Sequence, residues 1–213
     1  MKQYQRDFIE LSIAQGALRF GSFTLKSGRT SPYFFNTGMF NSGESIAALG
    51  GFYAQAILDS GIEFDMLFGL AYKGVPLVVA TGSALARQHG RNVPISFNRK
   101  ELKDHGEGGT IVGAPLRGRV LVLDDVISAG TSVRESSALI HGAGAVGAGV
   151  VIALDRQERG SGSVSAVSQV EHELGLPVYS IVRIDHLVAY LEEKPDTGSL
   201  LTDIRAYQGR YRA

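Results

Sequence analysis

Four consecutive apolar residues, Val120-Leu121-Val122-Leu123, run into two adjacent carboxylates, Asp124 and Asp125. Val126-Ile127-Ser128-Ala129-Gly130-Thr131-Ser132 follows, and then a stretch with helical spacing over 131–141. An unbroken apolar run of this length reads as a strand buried on both faces, the kind found inside a parallel sheet. A parallel strand needs a long crossover to reach its neighbour, usually a helix. This one segment therefore pushes the whole chain towards an α/β architecture.

The rest of the chain agrees. Apolar residues at helical spacing mark helices over 4–18 (Phe8, Leu11, Ile13 or Ala14), 44–60 (Ile46, Leu49, Phe52, Tyr53, Ala56, Ile57) and 75–89, the last despite Gly82. Further helices are expected over 131–141, 164–174, 185–193 and near 199–207. Short apolar strands are expected over 64–69, 94–98, 119–123, 146–154 and 178–182, between the helices. Residues 99–113 are polar, carry Gly106, Gly108, Gly109 and Gly113, and show little periodicity. Residues 1–40 read as a small hood. Leu18-Arg19-Phe20 and Phe23-Thr24-Leu25 flank Gly21-Ser22 like a hairpin, 26–29 is a turn, and Tyr33-Phe34-Phe35-Asn36 is an aromatic strand. Alternation of this kind implies a mostly parallel sheet flanked by helices, in one domain over 1–213 (hood about 1–40, core about 41–213). Ligands in such sheets bind beyond the carboxyl ends of the strands. Attention therefore falls on the loops after Gly69, Asn98, Leu123 and Leu154.

Several classes of function drop out. Lys+Arg and Asp+Glu both number 21, so the formal net charge is zero, which disfavours general nucleic-acid binding. There is no cysteine, so disulfides, thiolate metal sites and a Cys nucleophile are excluded. No apolar run reaches membrane-spanning length, and the polar start at 1–7 lacks a signal-peptide core, so a cytoplasmic protein is expected. No Gly-Lys-Ser/Thr occurs, so there is no Walker A loop. Gly142, Gly144 and Gly147 spell GxGxxG, but after a helix and before a strand, so they read as a helix end and turn.

The chemistry of the 120–132 segment is specific. A small-residue loop at a helix N-terminus offers backbone N–H groups to an anion, and Thr131 and Ser132 add hydroxyls. Asp124 and Asp125 would repel a phosphate but can accept hydrogen bonds from sugar hydroxyls beside it. The segment matches a ribose 5-phosphate, with the diol on Asp124 and Asp125 and the phosphate on 128–132. It also fits a plain strand end with a capped helix. Likewise, Phe34 and Phe35 fit core aromatics as well as a base platform, and Arg156 fits a surface charge. Residues 99–109 fit a solvated loop with balanced charges as well as a mobile cover.

The segment resembles the phosphoribosyl-diphosphate motif of type I phosphoribosyltransferases. Thr24-Leu25-Lys26-Ser27-Gly28-Arg29, Ser31-Pro32-Tyr33-Phe34-Phe35-Asn36, Gly69-Leu70-Ala71-Tyr72-Lys73-Gly74, Phe97-Asn98-Arg99-Lys100-Glu101, 103–109 and Leu154-Asp155-Arg156-Gln157-Glu158-Arg159 are similar to bacterial orotate phosphoribosyltransferases from end to end. The resemblance implies the type I fold. It implies transfer of ribose 5-phosphate from 5-phosphoribosyl 1-diphosphate (PRPP) to N1 of orotate, giving orotidine 5′-monophosphate and diphosphate in the synthesis of UMP. Mg²⁺ is implied, bound mainly through PRPP, with no residue named as its direct ligand. The residues implied for PRPP are Lys26, Tyr72, Lys73, Arg99, Lys100, Lys103, His105 and Asp124, Asp125, Val126, Ile127, Ser128, Ala129, Gly130, Thr131 and Ser132. Those implied for orotate are Phe34, Phe35, Ser128 and Arg156, with Arg156 facing the orotate carboxylate. Lys103 and His105 are implied to stabilise the leaving diphosphate from a lid, 99–109, that closes over the neighbouring subunit's site in a homodimer. The Ala71–Tyr72 peptide is often cis in this family. One departure is Ser128, where the family usually has Thr.

Two rivals fare worse. A purine or uracil enzyme on the same scaffold would leave Arg156 unpaired. A PRPP-sensing regulator would be expected to carry a basic DNA-reading helix, and the chain has none.

Overall fold

The computed structural model describes residues 1–213 except Lys26, 104–108 and Ser161, with the backbone alone at 101–103. Helix α1 (Gln3–Ala14) leads into strands β1 (Leu18–Thr24) and β2 (Thr30–Phe35), then a 3-10 turn at Thr37–Met39. Helix α2 (Gly43–Ser60), β3 (Met66–Gly69), α3 (Gly74–His89), β4 (Ile95–Lys103), β5 (Gly109–Gly113) and β6 (Arg119–Asp124) follow. The chain ends with α4 (Thr131–Gly142), β7 (Val146–Asp155), α5 (Ala166–Leu174), β8 (Val178–Arg183), α6 (Ile184–Glu192) and α7 (Gly198–Tyr211).

The central sheet has six strands in the order β5-β4-β3-β6-β7-β8, all parallel except β5, which runs antiparallel to β4. β6 lies inside it, and Val120 to Leu123 are all buried, as a strand covered on both faces requires. Successive side chains alternate between two cores. Leu67, Leu121, Leu123, Val151 and Ala153 pack under α1, α2, α3, α6 and α7. Met66, Phe68, Val120, Val122, Val150 and Ile152 pack under α4 and α5.

This asymmetry positions the site. The crossover from β3 through α3 steps to one side and one face, whereas those from β6 through α4 and α5 step to the other side and the opposite face. The strand order thus reverses between β3 and β6, and the carboxyl ends of those two strands open a crevice between diverging loops.

Two expectations are corrected at the edges. Gly21 and Ser22 do not turn a hairpin. β1 runs straight through them with a register shift between Phe20 and Phe23, and the reversal falls at 25–29, closed by Leu25 N–H on the Arg29 carbonyl at 2.8 Å. A glycine within a strand tolerates a bulge, so the two readings look alike in sequence. The segment 99–113 is also more regular than its composition implies. β4 extends to Lys103 and pairs with β5, with Asn98 opposite Ile111 and Lys103 opposite Gly109. An edge pair has one side open, so polar residues are tolerated there.

Candidate active site

The β3 end is shaped by close backbone contact. A Cβ on Gly74 would stand 2.6 Å from the Gly69 carbonyl carbon, so the chain from 69 to 74 folds back on itself only without side chains at its ends. The Ala71 N–H donates to the Asn98 Oδ1 of β4 at 2.6 Å, and the Ala71–Tyr72 peptide is cis. The Tyr72 ring is exposed, with Lys100 Nζ 5.0 Å from its centroid. Lys73 is carried towards β6, and its Nζ donates to Asp125 Oδ2 at 2.5 Å.

Asp125 is buried, and its carboxylate is held from three sides. Oδ2 also accepts from Thr37 Oγ1 at 3.3 Å, and Oδ1 accepts from the Val126 N–H at 2.9 Å. Asp124 Oδ1 accepts from the Asp125 N–H at 2.8 Å, and the Tyr53 hydroxyl donates to the Asp124 carbonyl at 2.6 Å. Burial, reinforced by the Asp125 charge, pushes the Asp124 carboxyl up to about 7. Asp124 therefore titrates near neutrality, and a ligand that donates to its anionic form changes that balance.

The loop after Asp125 divides its labour. Ile127 is buried under α4, and Val126 packs partly against the other core, so neither side chain is free for a ligand. The Val126 N–H is also engaged by Asp125, which leaves this residue's main chain with less to offer PRPP than the sequence reading expects. Ser128, Ala129 and Thr131 are exposed and Ser132 is half-buried. Gly130 takes φ +73° at the N-cap of α4, and a Cβ there would stand 2.7 Å from Val170 Cγ2. Arg134 Nη1 donates to the Ala129 carbonyl at 2.6 Å, while its Nε and Nη2 bind Glu173 of α5. That carbonyl is thereby tied down, and the N–H groups at the start of α4 are of the kind that can receive an anion.

The hood meets this site at both Asp125 and Arg156. Thr37 touches Asp125, and Ser31 Oγ accepts from Arg156 Nη2 at 3.1 Å. Arg156 is largely buried, lies over the Tyr33 ring at 4.3 Å, and is paired with Glu158 through Nη2 (2.6 Å) and Nε (2.9 Å). Phe34 and Phe35 do not jointly form a flat platform. Adjacent strand residues point to opposite faces. The Phe35 ring is buried against Phe8 at 6.1 Å, whereas the Phe34 ring stacks on Phe23 at 5.6 Å with Arg19 over it at 5.6 Å. What the pair can offer a base together is its backbone.

Arg99 is half-buried and Lys100 exposed on β4. Lys26 and His105 lie outside the described residues, as does the side chain of Lys103. Among the described residues no group of three His, Cys, Asp or Glu side chains is placed to hold a metal. A Mg²⁺ that arrives on a diphosphate fits without such a group, since hard Mg²⁺ retains water and phosphate oxygens as its ligands. Thr37, Asn98, Tyr53 and Glu158 are site residues that the sequence reading assigned no role. A single hydroxyl, amide or acid carries no spacing signal, and only the tertiary contact reveals it.

Comparison with known proteins gives the following. The family model for the phosphoribosyl transferase domain matches residues 36–173. An orotate phosphoribosyltransferase of Nitrosococcus oceani is 60% identical over 212 residues, covering 99% of this chain and 96% of that protein. One from Pseudomonas aeruginosa is 59% identical over 211 residues, covering 99% of both. The crystal structure of orotate phosphoribosyltransferase from Francisella tularensis superposes with a TM-score of 0.88 at 39% identity, covering 97% of this chain and 100% of that one.

Proposed function

The chain belongs to the phosphoribosyltransferase family, among the orotate phosphoribosyltransferases, and on that premise we propose how its residues act. The reaction moves ribose 5-phosphate from PRPP to N1 of orotate. Diphosphate departs and orotidine 5′-monophosphate forms, a step in the synthesis of UMP. The observation that carries this reading is the meeting of Lys73 and Asp125 at the reversal point of the sheet, in the loop that leads into α4.

The 5′-phosphate sits on the 128–132 loop, taken by its N–H groups and by the Thr131 and Ser132 hydroxyls. Gly130 permits the turn and Ser128 borders the base. The ribose hydroxyls donate to Asp124 and Asp125. Lys73 holds the diphosphate beside the backbone at Tyr72, with Lys26 as a further contact. Bond breaking leaves positive charge on the ribose and negative charge on the diphosphate, so cations aimed at the leaving group do most for the rate. Arg99, Lys100, Lys103 and His105 are assigned to that task. Mg²⁺ neutralises diphosphate charge when bound, carried by PRPP itself. The backbone at Phe34 and Phe35 aligns the base edge, and Arg156 attracts its carboxylate.

We assign the lid 99–109 to the site of a neighbouring subunit, so the active form is a homodimer. The position of β4 and β5 supports this, because the two strands that flank the lid form one edge of the sheet. A cytoplasmic setting accords with the absence, among the described residues, of any helix long and apolar enough to cross a membrane.

The test is loss of orotate absorbance with PRPP and Mg²⁺, run beside uracil, adenine and hypoxanthine. Mg²⁺-dependent turnover of orotate alone is expected. Turnover of a base without a carboxylate, or of none, overturns the assignment of the base.

A further inference from the structure

Arg156 is not a lone guanidinium waiting for an anion. Its Nε and Nη2 both bind Glu158 Oε1, at 2.9 and 2.6 Å. The same carboxylate accepts from the Tyr33 hydroxyl at 3.1 Å and lies 3.6 Å from Arg29 Nη1. Arg29 is held in turn by the Arg159 carbonyl at 3.1 Å and lies over the Tyr211 ring at 4.8 Å. Glu158 itself is fixed by the chain around it. Its carbonyl accepts from the Ala166 N–H at 3.1 Å, and its backbone bridges to Arg212 at the end of α7. One acidic residue thus links the hood, the loop after β7 and the terminal helix.

Charge sharpens the point. Among the described residues, the cluster sets two guanidinium groups, Arg29 and Arg156, against the one carboxylate of Glu158. It retains one positive charge in excess, in a largely buried place where an unpaired charge is costly. A base that brings its own carboxylate balances the cluster, and a neutral base does not. The Tyr207 hydroxyl lies beside Arg156 and Glu158, buried and without a hydrogen-bond partner among the described residues. It is a further donor within reach of Glu158.

We propose that Glu158 is a positioning residue for base recognition, holding Arg156 over the Tyr33 ring and leaving the cluster one negative charge short of neutrality. The inference rests on the reading of Arg156 as partner of the orotate carboxylate. Glu158 does not touch the reacting atoms. Its effect passes through the orientation of Arg156, so it belongs to the binding of the base and not to that of PRPP.

Steady-state kinetics on the full-length chain with orotate and PRPP varied in turn provide the test. Glu158→Ala should raise KM for orotate about tenfold, the loss expected of one hydrogen bond to a charged group. KM for PRPP should not move. Glu158→Gln keeps an acceptor oxygen for Arg156 and Tyr33, and should return KM for orotate to within about threefold of wild type. An unchanged orotate KM in Glu158→Ala overturns the proposal. So does a parallel rise in both KM values, which is what a merely structural defect gives, or a Glu158→Gln variant as impaired as Glu158→Ala. If Glu158→Ala does not fold, Tyr33→Phe removes one donor to the same carboxylate and should raise the orotate KM alone; an unmoved value there counts equally against it. A wild-type chain that fails to use orotate is seen before any variant is made, and that outcome removes the base assignment together with this inference.

Discussion

Burial and the neighbouring Asp125 charge lift the Asp124 carboxyl to about 7, so its charge responds to pH near neutrality. In the proposed binding mode a ribose hydroxyl donates to it and favours the anion, so the PRPP complex is expected to bind fewer protons than the free enzyme. By linkage, PRPP binding must strengthen as pH rises through 7. KM for PRPP should fall between pH 6 and 8, and Asp124→Asn should flatten that dependence; a steep fall that persists in the variant would locate the titration elsewhere. Folding carries the opposite sign. The folded state holds this proton more tightly than the unfolded chain, so the Asp124 contribution to stability is lost as pH rises from about 4 through 7. At the same scale, residue type alone is ambiguous. Phe34 and Phe35 are adjacent and chemically equal, yet one ring is in the core and the other is on the far face of the hood.

The strand–loop–helix formed by β6, 125–130 and α4 is the element whose shape depends most on one residue. Gly130 combines a left-handed backbone with a neighbour, Val170, already at the limit of contact. Gly130→Ala should cost about 1–3 kcal/mol of unfolding free energy, from the backbone strain and the displaced Val170. Chemical denaturation measures that cost, and a variant as stable as wild type would show that the loop has another conformation of similar energy. The same element was the easiest to read from sequence, because its apolar run, acid pair and small-residue loop are contiguous. The hood was harder. A glycine inside β1 looks like a turn until the register with β2 is known.

At the scale of the molecule, the two cores lie on opposite faces of the sheet, and the change of crossover direction between β3 and β6 creates the crevice. Loops separated by 52 positions, those of Lys73 and Asp125, meet there with an ion pair. The proposed sharing of the lid between subunits is testable at this scale. Lys103→Ala dimers and Asp125→Asn dimers should each be nearly inactive. Mixed under conditions where subunits exchange, they should regain activity, because some hybrid dimers combine an intact lid with an intact ribose site. No recovery despite measured exchange would make each site self-contained.

Contiguous signals in the chain determined the α/β class, the strands and helices of the sheet, and the 120–132 segment as a candidate phosphosugar site. Each depends on periodicity or on residues a few positions apart, where local sterics and burial dictate conformation. Contacts between distant residues were decided only by the tertiary structure. They include Thr37 and Lys73 on Asp125, Asn98 on the Ala71 N–H, and Glu158 between Arg156, Tyr33 and Arg29. The physical reason is that a hydrogen bond or ion pair across 88 or 125 positions leaves no spacing in the sequence. It exists only once the packing of two cores has brought the ends of separate strands to one place.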